Sequence, residues 1–210
     1  MKLYLSSYKL GDKKEELKKW IVEHNNKICL IPNSRDVYPD GERKINGIQE
    51  DVKELEDLGF DVTVISLKDY FDNNEELYKI LKEFSAFYVI GGNTFALRQA
   101  MYLSGFDKYL KLIESNPNYL YAGYSAGICV LAKDLHGLDI CDDPKINPYG
   151  IETIWDGLGY FDYIFLPHYK SNHKETKLID DAVEYCNKNN IKYKTLHDGD
   201  VIIEDIELLK

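Results

Sequence analysis

No run of apolar residues in this chain approaches the roughly 20 that a membrane-spanning helix needs. The opening Met1-Lys2-Leu3-Tyr4-Leu5-Ser6-Ser7-Tyr8 is too short an apolar stretch for a signal peptide and lacks a small-residue cleavage site. A soluble cytoplasmic protein is the expectation. Cysteine is sparse: Cys29, Cys129, Cys141 and Cys186 are scattered, and no two have the spacing of a zinc knuckle or redox pair. Each is expected to be buried and reduced. An excess of basic residues is missing as well. Lys and Arg number 26 against 36 Asp and Glu, a formal net charge of −10. That balance argues against a nucleic-acid partner, because displacing counterions from phosphates needs a cationic face; the acidity is read as a solubility device. There is also no internal repeat, low-complexity tract or Pro/Ser-rich linker, so residues 1–210 are expected to form one domain.

What is present is an ordinary globular balance, 44% hydrophobic and 30% charged over 210 residues. That length can bury a core without metal or disulfide staples. Short β-rich runs alternate with segments of helical period. Strands are expected at Leu3–Ser7, Lys27–Ile31, Asp61–Leu67, Ala86–Ile90, Tyr119–Ala122 and Tyr163–Leu166. Helices are expected at Glu15–Glu23, Ile45–Leu58 (closed by Gly59), Glu75–Phe84, from near Asn93-Thr94, at Asp107–Ser115, Ala126–Lys133 and Lys174–Lys188. A hairpin-like pair, Tyr193–Leu196 and Val201–Ile203, is expected around the turn Asp198-Gly199-Asp200. Gly137–Gly159, rich in Asp, Pro, Asn and Gly, is expected to be loops and short strands. The pattern implies an α/β fold with a mostly parallel central sheet covered by helices on both faces.

Gly123-Tyr124-Ser125-Ala126-Gly127, placed between an expected strand and an expected helix, has the pattern of a nucleophile elbow. A tight strand-to-helix turn holds the serine in a strained conformation, and flanking glycines remove the Cβ atoms that would clash. The helix behind it offers free N–H groups and a positive dipole end to a developing oxyanion. A serine nucleophile needs a base, and the base an orienting acid. His24 is expected to be a partly exposed helical residue, His136 a loop or cap residue, and His173 solvent-exposed. His168 follows Tyr163-Ile-Phe-Leu and Pro167, which puts it at a strand end where open α/β sheets collect their active sites. It is the favoured base, with His197 as rival. Asp198 is the favoured acid, with Asp200 and Asp143 behind it.

Gly91-Gly92-Asn93-Thr94-Phe95, then the Ser125 elbow, then Leu166-Pro167-His168-Tyr169 resemble, in this order, the S51 serine peptidases. That family includes peptidase E (an α-aspartyl dipeptidase) and cyanophycinase, on a fold related to class I glutamine amidotransferases. The resemblance runs from about residue 3 to about residue 204. It implies Ser125 as nucleophile, His168 as general base, and the N–H groups of Gly92 and Ala126 as oxyanion hole. The family's third member is a glutamate; Leu196-His197-Asp198-Gly199 resembles that segment and places Asp198 there, with a shorter side chain. The resemblance further implies a small peptide substrate, with N-terminal aspartate preferred, and no metal or organic cofactor. An acidic substrate side chain would need a cation, and Arg35, Arg43 and Arg98 are the only arginines. Arg35 follows a strand end but is expected to lie at the surface; the acidic loop Asp139–Asp143 could hold the substrate amine.

Three other readings stay open. An α/β-hydrolase esterase would share the elbow but place its histidine last, favouring His197. An amidotransferase-like glutaminase would carry cysteine at the elbow, and Cys129 is a helical turn too far along. A binding protein could keep the fold without activity. An exposed apolar helix face would leave room for a homodimer.

Overall fold

The computed structural model describes residues 1–208. Its strands are β1 (Lys2–Ser6), β2 (Lys27–Ile31), β3 (Asp61–Val64), β4 (Ala86–Val89), β5 (Leu120–Tyr124), β6 (Ile164–Leu166), β7 (Tyr193–Thr195) and β8 (Val201–Asp205). The helices are α1 (Lys14–Glu23), α2 (Glu42–Glu56), α3 (Asn74–Leu81), α4 (Thr94–Ser104), α5 (Phe106–Ile113), α6 (Ala126–Cys129) and α7 (Thr176–Asn189). Six strands form the main sheet in the order β3-β2-β4-β5-β1-β8. All its neighbours are parallel except β8, which runs antiparallel to β1.

Alternation along the central strands divides the interior into two layers. In β4, Phe87 and Val89 join Leu3, Leu5, Cys29 and Tyr121 in the larger core, packed by α3, α4, α5 and α7. Ala86 and Tyr88 turn the other way, toward Trp20 of α1 and Leu55 of α2. Strands buried on both faces cannot alternate with polar residues, which is why β2, β4 and β5 are nearly continuous apolar runs. Cys29, Cys129 and Cys186 are buried free thiols, while Cys141 is half-buried. No helix among the described residues is long and apolar enough to cross a membrane.

Three expectations are corrected. The Asp61–Leu67 strand ends at Val64, and Leu67 begins a 3₁₀ turn whose first N–H donates to Asn33 Oδ1. The Ala126–Lys133 helix is a single turn, α6. Beyond it the backbone is claimed by residues 157–161: Leu158 donates to Val130, Gly159 to Ala132, and Lys133 to Phe161. Gly157 makes this approach possible, since a Cβ there would stand 2.0 Å from the Ala132 carbonyl oxygen. Finally, β7 and β8 are not a hairpin. β7 pairs in parallel with β6 to form a separate two-stranded sheet, and β8 pairs with β1. The Asp198–Asp200 turn between them is bonded instead to the segment after β1, by Ser7 N–H to Asp200 O and Asp12 N–H to Gly199 O.

The loop 139–143 braces the start of α4. Asn93 caps the helix by accepting from the Ala96 N–H, its Nδ2 donates to the Asp143 carbonyl, and the Thr94 N–H donates to Asp142 Oδ2 at 2.8 Å. Burial pushes the Asp142 carboxyl up to about 6, more than its Thr94 contacts pull it down.

The fold yields two predictions. Gly127→Ala would put a Cβ 2.1 Å from the Val89 carbonyl oxygen, which belongs to a central strand and cannot retreat. Calorimetry should show a loss of about 2–3 kcal/mol and a Tm lower by roughly 4–12 °C. Asp142 has a raised folded pKa, so protonation favours the native state and stability falls as pH rises from about 4 toward 6. Asp142→Asn keeps an acceptor for Thr94 without that charge. It should raise Tm by roughly 2–4 °C at pH 7.5, allowing for partial exposure, and the gain should vanish near pH 4.

Candidate active site

β4 and β5 lie side by side with Val89 opposite Gly123. The chain turns from β5 into α6 through Ser125, whose φ of 50° and ψ of −118° lie in a region side-chain-bearing residues rarely occupy. The turn is held by its surroundings. Cβ atoms at Gly123 and Gly127 would meet the Val89 carbonyl oxygen at 2.8 and 2.1 Å, so only glycine lets β4 approach. The Ser125 carbonyl accepts from the N–H groups of Ile128 and Cys129, and Tyr121 OH donates to the Gly127 carbonyl at 2.6 Å. No hydrogen bond among the described residues occupies the N–H of Ala126 or of Gly92.

His168 follows β6 and Pro167, with a φ of 63° and only 2% of its surface exposed. Its Nδ1 lies 2.7 Å from Asp198 Oδ1. A carboxylate acceptor there requires the proton on Nδ1, leaving the Nε2 lone pair free. Ser7, just past the end of β1, ties the pair together: its Oγ accepts the His168 N–H at 2.9 Å and donates to Asp198 Oδ1 at 3.0 Å. The Asp198 N–H donates to Ser171 Oγ. Ser7 is fully buried and had no sequence signal beyond its place at a strand end.

Ser125 and His168 line one cleft of about 830 Å³, together with Gly91, Gly92 and Tyr8. Among the described residues no hydrogen bond joins Ser125 to His168; resting enzymes often tighten that contact only on binding substrate. Asp198 stands behind His168, away from the cleft lining. The other histidines fall elsewhere, except one. His24 stacks on Trp20, His136 stacks on Trp155, and His197 is exposed with its N–H on Asp200 Oδ2. His173, expected in solvent, is instead half-buried in the cleft wall and stacks on His168, with ring centres 3.8 Å apart and planes 11° from parallel. Tyr8 meets both rings. Burial and the neighbouring His168 charge hold the His173 imidazole below its ordinary pKa, against the pull of Glu175 and Asp198.

His168, His173 and Glu175 present ligand atoms within 4.8 Å of one another. Within this group His173 Nδ1 accepts the Glu175 N–H at 3.3 Å.

Five cations line the cleft, but most are already paired. Lys9 and Arg35 contact Asp51, Lys44 contacts Asp36 and Asp40, and Lys174 lies 3.7 Å from Glu175. Arg43, exposed in the first turn of α2, has no ion pair among the described residues. Arg98 is buried elsewhere, donating to Asp107 and the Asp156 carbonyl. The loop 139–143 is not part of the lining.

The model of peptidase family S51 matches residues 3–205. Two curated relatives, uncharacterized peptidases from Listeria innocua and Listeria monocytogenes, are each 30% identical over 69% and 66% of this chain. The matched stretch spans 65% of the length of each. Among solved structures, a candidate peptidase E protein from Listeria monocytogenes EGD-e superposes with a TM-score of 0.75 at 22% identity, covering 97% of this chain and 98% of that one. A peptidase from an acI-B1 actinobacterium gives 0.64 at 18% identity, over 97% and 82%. Both share the fold.

The stack supplies a prediction. By NMR titration His173 should ionise below the usual imidazole value of about 6.5. In His168→Asn its pKa should rise, since a like charge is removed; an unchanged midpoint would show that the two rings do not interact.

Proposed function

The chain belongs to peptidase family S51, and from that premise we propose that it is a serine peptidase of the cytoplasm that hydrolyses small peptides through Ser125, His168 and Asp198. The observation that carries the reading is the His168–Asp198 bond of 2.7 Å beside a cleft that also exposes the strained Ser125. The shorter acid is no obstacle: the Asp198 turn lies close enough, and Ser7 and Ser171 hold it in place.

The chemistry is acyl transfer. His168 Nε2 takes the Ser125 proton as Oγ attacks the peptide carbonyl carbon. The tetrahedral oxyanion accepts from the N–H groups of Gly92 and Ala126, neither of which has a partner among the described residues. His168, now an imidazolium stabilised by Asp198, donates its proton to the leaving amine as the C–N bond breaks. Water, deprotonated by the same imidazole, then hydrolyses the ester and returns Ser125 to its starting state.

A preference for N-terminal aspartate fits a cleft with a cation to spare, and Arg43 is that cation, because its neighbours are neutralised by acids. The esterase reading would need His197, which is exposed and outside the cleft lining. The glutaminase reading would need Cys129, whose thiol is buried, donates to the Phe165 carbonyl, and is pushed well above the range of a reactive thiol.

A fluorophosphonate serine probe tests the reading. The wild type should label and Ser125→Ala should not; folded wild-type protein that stays unlabelled sinks the proposal. On a panel of Asp-Xaa, Glu-Xaa and neutral dipeptides, Asp198→Asn should lower kcat by about 10⁴-fold, by analogy with the loss of an orienting carboxylate in other triads. His197→Gln should leave kcat within about two-fold.

A further inference from the structure

The turn that carries Gly92 contains two glycines in succession, and space demands both. A Cβ at Gly91 would stand 2.7 Å from the Tyr124 ring, and one at Gly92 2.4 Å from the Ser34 carbonyl oxygen. The same substitution-intolerant pair leaves the peptide between them with little intrinsic preference for one orientation. Rotated by half a turn, that peptide would place the Gly91 carbonyl in the cleft and aim the Gly92 N–H away from it. The chain on either side is fixed: Ser34 Oγ donates to the Ile90 carbonyl, and the Asn93 N–H donates to the Ser34 carbonyl. Neither bond sets the 91–92 peptide plane.

Arg35 does. Its Nε donates to the Gly91 carbonyl at 3.2 Å. In a planar trans peptide the C=O and the next N–H point in opposite directions, so holding the carbonyl fixes where the Gly92 N–H is aimed. The guanidinium is itself immobilised. Its Nη2 lies 2.8 Å from both Asp51 Oδ2 and Tyr124 OH, and the Asp51 side chain has no exposed surface. Tyr124 OH donates to Asp51 in turn, and Lys9 Nζ sits 2.8 Å from Asp51 Oδ1. Burial beside Asp51 keeps the phenol protonated. Tyr124 is the residue before Ser125, so the network joins the nucleophile turn to the Gly91–Gly92 turn.

We propose that Arg35 is a positioning residue that keeps the Gly91–Gly92 peptide turned with its N–H toward the oxyanion, through the brace Asp51–Arg35–Tyr124. The inference rests on the assignment of Ser125 and Gly92 made above. It also gives Arg35 a different duty from binding an acidic substrate, for which its charge, already paired with Asp51, is not free. Lysine cannot replace it, because a single ammonium cannot reach a carbonyl, a phenol and a carboxylate at the three positions the planar fork serves.

Phosphonylation of Ser125 by a fluorophosphonate passes through an oxyanion on phosphorus, so its maximal rate reads the hole without a known substrate. Loss of one oxyanion donor typically lowers rate by about 10²–10³-fold. Arg35→Lys should therefore lower the maximal labelling rate by about 10²-fold, leave the half-saturating probe concentration within about three-fold, and leave the pH midpoint of labelling unmoved. Tyr124→Phe keeps both charges and removes one hydroxyl, and should lower the same rate roughly 3- to 10-fold. Folded Arg35→Lys that labels within two-fold of wild type overturns the proposal, as does a loss confined to the half-saturating concentration. Should Arg35→Lys fail to fold, Tyr124→Phe decides: a slower maximal rate supports the brace, an unchanged one overturns it. A wild type that does not label overturns the serine peptidase reading and this inference together, whereas a labelled wild type separates the two.

Discussion

A carboxylate with no exposed surface must find all its partners within the protein, and Asp51 finds two cations and a phenol on three different segments. Lys9 comes from the loop after β1, Arg35 from the turn after β2, and Tyr124 from the end of β5. Removing one partner of such a group typically costs about 3–5 kcal/mol, because the remaining charge is stranded. The cluster is therefore less a source of net stability than a constraint on arrangement. The chain just past β1 and β2 and the end of β5 must come to one point for Asp51 to be satisfied. That point lies directly beneath the cleft where Ser125 is presented.

Close approach of backbone supplies the second constraint. Gly123 and Gly127 bring the elbow against Val89 O, and Gly157 brings residues 157–161 against the strand-like stretch after α6. In both places a carbonyl oxygen occupies the volume a side chain would need. Ser125 keeps its unfavourable dihedral angles because the backbone on either side has nowhere else to go, the usual way backbone strain is retained. His168 is held similarly, with a positive φ, a bond from its N–H to Ser7 and a bond from its ring to Asp198.

Much of this was legible in the sequence, and the division follows the range of the interactions. Lys27–Ile31 is bounded as its apolar run suggests, and the Ser125 elbow, its flanking glycines and the strand end at His168 are local patterns. The supposed hairpin failed because strand pairing is decided by distant partners: Val201–Asp205 finds β1, and Tyr193–Thr195 finds β6. The helix after Ser125 stopped early because residues 157–161 compete for its backbone groups. Ser7 and His173 carry no motif, and nothing short of the folded contact brings them to His168. Arg35 was expected at the surface for the same reason, since sequence gives its charge but not the buried Asp51 that faces it.

The hydrogen bonds of Ser7 span 161 residues to His168 and 191 to Asp198. β1 occupies the sheet between β5 and β8, so its two neighbours are made long after it. Made in chain order, β1 has no sheet partner until β5 follows it, and its other edge stays open until β8 does. The contacts that hold Ser125, drawn from β4 and α6, and those that hold His168, drawn from Ser7 and Asp198, are therefore assembled from segments made at different times.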